Sequence, residues 1–355
     1  MRVPQYAMRP LVALALTALM AGCGGGDSNA PDAPFDPAGT TSDLGALEAS
    51  FESDAMAAFQ SAAPSIGSVL GETPAAMAVR AAPSKTLAGG KPGVREYAGV
   101  LARAYGAPAT GMRPYGAGAA ILEEHYGVTF TRNAETLEYE ASARTGAPSN
   151  GVRFIVYAVN PISGQPVTPL QEVGYADIEV TEGTNSASVR VELVSGGVTY
   201  LDYAVGATGT QASITLTVAG YVSNGDERVN FDLDTRITET AITLDYTLIV
   251  PTRGNFRMDF EETVGETSLT SSLLLRGPHG TVTIEGSQTE TAGSYQVEVN
   301  GEAFATITFA DGSDPVIAGA DGEALTEEEM EALQHVFMVF LGGFDFFEDL
   351  LDPLV

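Results

Sequence analysis

The feature that most restricts the fold is a two-residue alternation of apolar and polar side chains from about Ala119 to Gly312. It is clearest from Ile242 to Val250 and from Phe256 to Glu261, where every second side chain is large and apolar. Successive side chains of a strand point to opposite faces, so the alternation predicts strands with one buried and one solvated face. Such strands are typical of antiparallel sheets.

Turn sequences separate the alternating runs. Asn224-Gly225 and Asn300-Gly301 favour the positive φ angles of tight hairpins, and Gly196-Gly197 fits the same role. We therefore expect about a dozen strands in residues 119–312, joined as a meander with no room for crossover helices. The run from Arg153 to Val159 is apolar on both faces, which predicts a strand that is covered on both sides.

Helical patterns flank this region. Ser42 is a candidate N-cap for a helix that continues to about Ala62, before Pro64 ends it, within a helical or irregular segment over residues 43–118. In residues 313–355, Thr326 and Glu329 form a capping box ahead of an amphipathic helix. That helix has one apolar face, formed by Met330, Leu333, Phe337, Phe340 and Leu341.

The combined patterns predict a mainly β protein with a large antiparallel meander sheet. A sheet with one apolar face needs a cover, which we expect the N-terminal and C-terminal helices to provide. The sheet is expected to be either a curved half-barrel or a sandwich. A membrane-spanning β-barrel has the same alternation, but the amphipathic helices and the N-terminal signal described next disfavour it.

The N-terminus has the features of an export signal. Arg2 and Arg9 precede an apolar stretch of ten residues from Leu11 to Met20. This stretch is too short to cross a bilayer, which takes ~20 apolar residues. Small residues then lead to Cys23, the single cysteine of the chain. Residues 1–22 are therefore interpreted as a signal peptide.

The segment from Leu19 to Cys23 resembles the lipobox of bacterial lipoproteins, with Met20 where leucine is usual. The resemblance implies a diacylglyceryl group on Cys23, and Gly24 rather than aspartate after it implies passage to the outer membrane. Residues 23–42 are then a lipidated tether, too poor in apolar residues to pack. The alternative is a secreted protein with one unpaired thiol.

Charge limits the partners of the protein. Removal of Arg2 and Arg9 with the signal peptide leaves 15 of 17 basic residues against 46 acidic residues, a net charge of about −31. Phosphate backbones and anionic headgroups repel so acidic a body, so we expect no nucleic-acid partner. The predicted membrane contact is the N-terminal lipid alone.

No catalytic or metal motif stands out. His125, His279 and His335 lack metal or triad spacing, so we expect no cofactor, and we interpret them as unrelated surface or cap residues. The acidic turns near Asp311 and Asp321 do not fit a calcium loop. An EF-hand register with Gly322 at its sixth position would put an isoleucine at the first ligand position. A hydrolase that uses two carboxylates leaves no local signature and remains an alternative.

The weak candidate for a ligand site is an aromatic run in the C-terminal cap, formed by Phe337, Phe340, Phe344 and Phe347. The alternative is that these side chains only pack against the sheet. A curved sheet with an aromatic lid resembles in outline the half-barrel carriers of bacterial lipoproteins. The sequence thus predicts a non-catalytic envelope lipoprotein that binds an apolar ligand or another envelope protein. A structural or adhesive surface module is the third alternative.

Overall fold

The computed structural model describes residues 36–69, 121, 123–183, 186–209, 213–238, 241–265, 267–289, 291–310, 316–320, 322 and 324–336. Three helical segments lie in this part of the chain: α1 (Pro37–Ala49), α2 (Asp54–Val69) and α3 (residues 327–336). Short 3-10 turns cover Glu123–His125 and Pro251–Arg253.

Fifteen strands form one sheet. They are β1 (Val128–Arg132), β2 (Tyr139–Ser142), β3 (Gly151–Tyr157), β4 (Glu172–Glu182), β5 (Ser186–Ser195), β6 (Val198–Gly209), β7 (Ser213–Ser223), β8 (Arg228–Thr238), β9 (Ile242–Val250), β10 (Phe256–Val264), β11 (Ser268–Gly277), β12 (Gly280–Thr289), β13 (Ala292–Val299), β14 (Glu302–Ala310) and β15 (Val316–Gly319).

The sheet is an open meander. From β3 to β15 each strand pairs antiparallel with the next one in the chain, which confirms the predicted mainly β, antiparallel architecture. At the other edge the order is β3-β1-β2, with β1 parallel to β3, so the chain between β2 and β3 passes β1. All described strands belong to one open sheet rather than to the two sheets of a sandwich.

The hairpin turns follow the predicted chemistry. Gly196 and Gly197 both have positive φ angles, of 58° and 82°, as do Asn300 and Gly301, of 52° and 77°. Positive φ angles at both central residues are typical of the two-residue hairpin turns, because the twist of these turns matches the twist of the two paired strands. At the β7–β8 turn only Gly225 has a positive φ angle, of 102°, and the Asn224 side chain accepts hydrogen bonds from the backbone N–H groups of residues 226 and 227.

The N-terminal helices differ from the prediction. Asp36, not Ser42, caps α1 and accepts from the Gly39 N–H at 3.0 Å, because Pro37 at the first helical position favours a start there. Residues 37–42 of the predicted tether are therefore helical. The chain then leaves the helix at residues 50–53, and Ser53 accepts from the Met56 N–H to begin α2.

The prediction that Pro64 ends a helix is wrong, since α2 continues to Val69. Proline removes one backbone hydrogen bond. Ala62 and Ile66, on either side of it, are fully buried and hold the helix against the sheet.

We call the sheet surface that faces α2 the inner face. Its buried side chains form one apolar cluster with both N-terminal helices and with α3. One cross-strand row shows its composition. The row runs through Val189, Val205, Val218, Leu233, Tyr246, Phe260, Leu273, Ile284 and Val297. α2 contacts β3, β4, β5 and β6, and its Phe59 is fully buried.

Strand β3 is covered on both sides, as predicted. Val152, Phe154 and Val156 are fully buried on the inner face, while Ile155 and Tyr157 are buried on the opposite face. The strand is therefore apolar on both faces because both of its faces are buried.

The C-terminal capping box is confirmed. The Glu329 carboxylate accepts from the Thr326 N–H at 2.8 Å, and the Thr326 hydroxyl accepts from the Glu329 N–H at 3.3 Å. Leu333 and Val336 of α3 are buried in the core cluster. The sheet also extends beyond the boundary predicted at residue 312, because residues 316–319 find backbone partners on β14.

Replacement of Phe59 by alanine tests whether α2 holds the sheet. We expect Phe59→Ala to lower the free energy of unfolding by about 3–5 kcal/mol, because it leaves a cavity in a fully buried contact. Urea unfolding measures this, with Gln60→Ala on the exposed side of the same helix as the control. A loss as small as that of the control would contradict the role of α2.

Candidate functional site

Several predicted site residues lie outside the described residues. They are Cys23, Phe337, Phe340, Phe344 and Phe347. The described residues nonetheless place one unexpected polar group in the apolar core.

That group is the carboxyl of Glu262. On β10 the inner face is formed by Phe256, Met258, Phe260 and then Glu262, which is only 4% exposed. The strand alternation continues through this position, so the glutamate stands where the pattern calls for an apolar residue. The acid is therefore carried into the core by the register of β10.

A short polar row lies on one side of this carboxyl, while the buried Leu244 of β9 lies opposite Glu262 on the other side. Ser271 on β11 lies directly opposite Glu262, and Gly286 and Tyr295 follow on β12 and β13. A Cβ at Gly286 would lie 2.5 Å from Cδ1 of Tyr295, so the missing side chain lets the tyrosine ring cross that strand. The Ser271 hydroxyl donates to the Tyr295 hydroxyl oxygen at 3.1 Å. We call Glu262, Ser271 and Tyr295 the Glu262 cluster.

Burial dominates the electrostatics of the cluster. It raises the pKa of Glu262 to about 7, because the charged carboxylate loses hydration and no cation of the described residues compensates for that loss. Burial also raises the pKa of Tyr295, and the Glu262 charge adds to that effect. No strand from β4 to β14 places a lysine or arginine on the inner face. At neutral pH the acid therefore titrates inside an apolar surface.

The cluster lies one row inside the end of the sheet. The next row along the strands contains Val264, Leu269, Gln288 and Gly293, paired across β10 to β13. These four residues are half-buried, whereas the rows on the other side of Glu262 are buried. We call them the rim row. The Glu262 carboxyl thus stands between a closed apolar interior and a more accessible edge.

The opposite end of the strands is tied to α1. His279, in the β11–β12 turn, lies 3.1 Å from the Asp36 carboxylate and 3.9 Å from that of Asp43, and its carbonyl accepts from the Asp36 N–H. Asn224 of the β7–β8 turn donates to the Ala49 carbonyl at 3.0 Å. The sequence predicts that His279 is an unrelated surface or cap residue, but it links α1 to the sheet.

The other two histidines have separate environments. His335 lies 4.0 Å from the Glu48 carboxylate, and His125 contacts the Phe130 ring edge-on. In the described part of the chain, no group of three or more histidine, cysteine, aspartate or glutamate side chains could hold a metal ion.

Three acidic side chains are buried among the described residues: Asp43, Asp177 and Glu262. Asp177 forms two hydrogen bonds of 2.6 Å with Arg153. Asp43 lies beside Gly277 and Phe256, whereas Glu262 is six residues farther along β10, roughly 20 Å away at the rise of a strand. Glycosidase carboxylates lie ~5–10 Å apart. These two buried acids therefore do not form a hydrolase pair of that type.

The outer face of the sheet is strongly acidic. Asp245 on β9 pairs directly with Asp234 on β8 and with Glu261 on β10. Burial raises the pKa of Asp245, and the neighbouring carboxylates raise it further. Like charges directly opposite each other weaken a sheet. The negative charge of the body is thus concentrated away from the inner face.

In comparisons with known proteins, no family model, no curated protein and no solved structure matches the chain. None of the described helices is both long enough and apolar enough to cross a membrane.

The Glu262 cluster was missed at the level of sequence, although a signal for it exists. The alternation that predicts β10 runs through Phe256, Met258 and Phe260 to Glu261. One further step of two residues would have placed Glu262 on the apolar face. The sequence signal for such a site is therefore an acidic residue at a position that the alternation assigns to the buried face of a strand.

Glu262 makes the stability of the fold depend on pH. In the unfolded chain its carboxyl has a pKa near the ordinary 4.5, while in the folded protein the pKa is about 7. The folded state holds the proton longer, so this residue's contribution to stability falls as pH rises from 4.5 through 7, by about 3 kcal/mol in all.

We expect Glu262→Gln to abolish that part of the pH dependence and to stabilise the protein at pH 8 relative to the unmodified chain. Urea unfolding at pH 5 and pH 8 measures the difference. Glu298→Gln, which removes an exposed carboxylate from the same sheet, is the control and is expected to keep the original dependence. Equal pH dependence in the Glu262→Gln variant and the unmodified protein would refute this account of Glu262.

Proposed function

We propose that the protein is a non-catalytic lipoprotein of the bacterial envelope that binds an apolar ligand at the inner face of its sheet. The observation that carries the proposal is the composition of that face. Its buried side chains from β4 to β14 are apolar except for Thr235 on β8 and for Glu262, which together with Ser271 and Tyr295 interrupts the face near one end. Small-molecule sites typically combine an apolar lining with a few placed polar groups.

The anchor part of the proposal rests on Cys23 and on the short length of chain between Cys23 and Asp36. The first described residue, Asp36, follows Cys23 by only 13 positions. A chain of that length spans at most about 45 Å, whatever its conformation. A lipid on Cys23 would therefore keep the sheet close to the membrane without any basic surface.

The described surface favours an apolar ligand over a protein partner. The edge strands β2 and β15 have four residues each, whereas β4 to β14 have between 8 and 12. Short edges limit pairing with a strand of another chain. The large apolar side chains that are exposed in the described residues, Ile162, Val198 and Val316, lie on separate elements.

The anchor is tested in cells by replacement of Cys23. We expect the unmodified protein to incorporate labelled palmitate and to sediment with membranes, and Cys23→Ala to do neither, because the thiol is the only site for the lipid. Fractionation and labelling measure both properties. An unmodified protein that carries no lipid, or a Cys23→Ala variant that still sediments, would contradict the anchor.

Ligand binding is tested with the fluorescent apolar probe N-phenyl-1-naphthylamine. We expect the purified protein to bind it and Leu269→Gln to weaken binding severalfold, because Leu269 belongs to the rim row. Leu274→Gln is the matched control, since Leu274 is half-buried on the outer face of the same strand. Absence of any binding would favour the structural or adhesive alternative. Equal losses in both variants would refute the inner face as the site.

A further inference from the structure

Glu262 faces the apolar interior without a partner. The residue is only 4% exposed, and within the described part of the chain its carboxyl makes no hydrogen bond and no ion pair. Buried acids are ordinarily paired or hydrogen-bonded, because removing their hydration is unfavourable. An acid that lacks both is unfavourable for the fold and available to a ligand.

The charge of the surroundings selects the ligand. The described strands β4 to β14 place no lysine or arginine on the inner face, so they offer no cation to a carboxylate, sulfate or phosphate headgroup, which Glu262 would repel. A protonated amine would instead form a charge-assisted hydrogen bond with it, in a setting where little water competes. Ser271, directly opposite, offers a second acceptor oxygen.

The neighbouring row gives the position of the apolar part. Val264 on β10 and Leu269 on β11 lie two residues farther toward the rim than Glu262 and Ser271, roughly 7 Å along the strands. Both are apolar and half-buried. A ligand whose amine reaches Glu262 from the rim would place its hydrocarbon against these two side chains.

From this arrangement, and resting on the proposed function, we propose that the ligand is an amine-bearing amphiphile. Its ammonium group binds the Glu262 carboxylate beside Ser271, and its hydrocarbon lies on the rim row.

This recognition depends on pH. The ammonium binds only the ionised acid, and burial gives Glu262 a pKa of about 7 in the free protein. The titratable side chains that face it are Tyr246 from β9 and Tyr295 from β13, and burial raises the pKa of both, so both stay neutral through this range. The fraction of ionised Glu262 falls about tenfold from pH 8 to pH 6, so the affinity should fall by the same factor.

The test compares three ligands of equal chain length, octylamine, octanol and octyl sulfate, by isothermal titration calorimetry on the purified chain at pH 8. Salt at 0.3 M screens attraction of the amine to the acidic outer face, while a buried pair is affected much less. We expect octylamine to bind at least tenfold more tightly than octanol, and octyl sulfate to bind more weakly than either. Octylamine affinity should fall about tenfold at pH 6.

The variants assign the preference to one residue. Glu262→Gln should lose the preference for octylamine and keep the affinity for octanol, whereas Glu298→Gln should behave like the unmodified protein. NMR titration of the Glu262 carboxyl in the unmodified protein gives a readout that does not depend on whether the variants fold. Bound octylamine should lower the midpoint of that titration by one pH unit or more.

The outcomes separate the two proposals. Equal affinities for octylamine and octanol, or a preference that survives in Glu262→Gln, would overturn the amine-bearing ligand and leave apolar binding intact. An unchanged NMR midpoint with octylamine bound would overturn it as well. Binding of none of the three ligands would overturn the proposed function together with this inference.

Discussion

The fold depends on burial of apolar side chains on one face of a single open sheet. Each central strand contributes only a few such residues, and the sequence has one cysteine, so no disulfide within the chain can reinforce the meander. Burial contributes roughly 25 cal/mol per Å² of apolar surface, and only the combined strands bury enough of it. Helices α1, α2 and α3 share the same cluster, so sheet and helices depend on one another.

Glu262 places an acidic group on the otherwise apolar inner face. Its position in the buried register of β10 raises the pKa of the carboxyl into the neutral range, which weakens the fold at alkaline pH. Gly286 opens a space that the Tyr295 ring fills, so that its hydroxyl meets Ser271. Natural proteins tend to break local rules of this kind at functional sites. The acidic outer face, by contrast, has the ordinary character of a solvated surface.

Much of the architecture follows from local patterns in the sequence. The alternation predicted the antiparallel meander, the Gly196-Gly197 and Asn300-Gly301 pairs predicted tight turns, and the Thr326–Glu329 capping box predicted the start of α3. The passage of α2 through Pro64 does not follow from the local pattern, because tertiary packing decides it. The start of α1, by contrast, has a local signal in Asp36 and Pro37 that the choice of Ser42 as the cap overlooked. The parallel pairing of β1 with β3 depends on long-range contacts of short strands. Glu262 was missed because the alternation was not continued by one more pair.

The central claim is that the inner face, and not the outer one, receives an apolar ligand at the rim row. Methyl NMR on the protein labelled at leucine and valine tests it most directly, with octylamine as the added ligand. We predict shifts and ligand contacts at the methyl groups of Val264 and Leu269, with those of Leu274 on the outer face unchanged. Shifts confined to Leu274, or none at any of these methyl groups, would contradict the account.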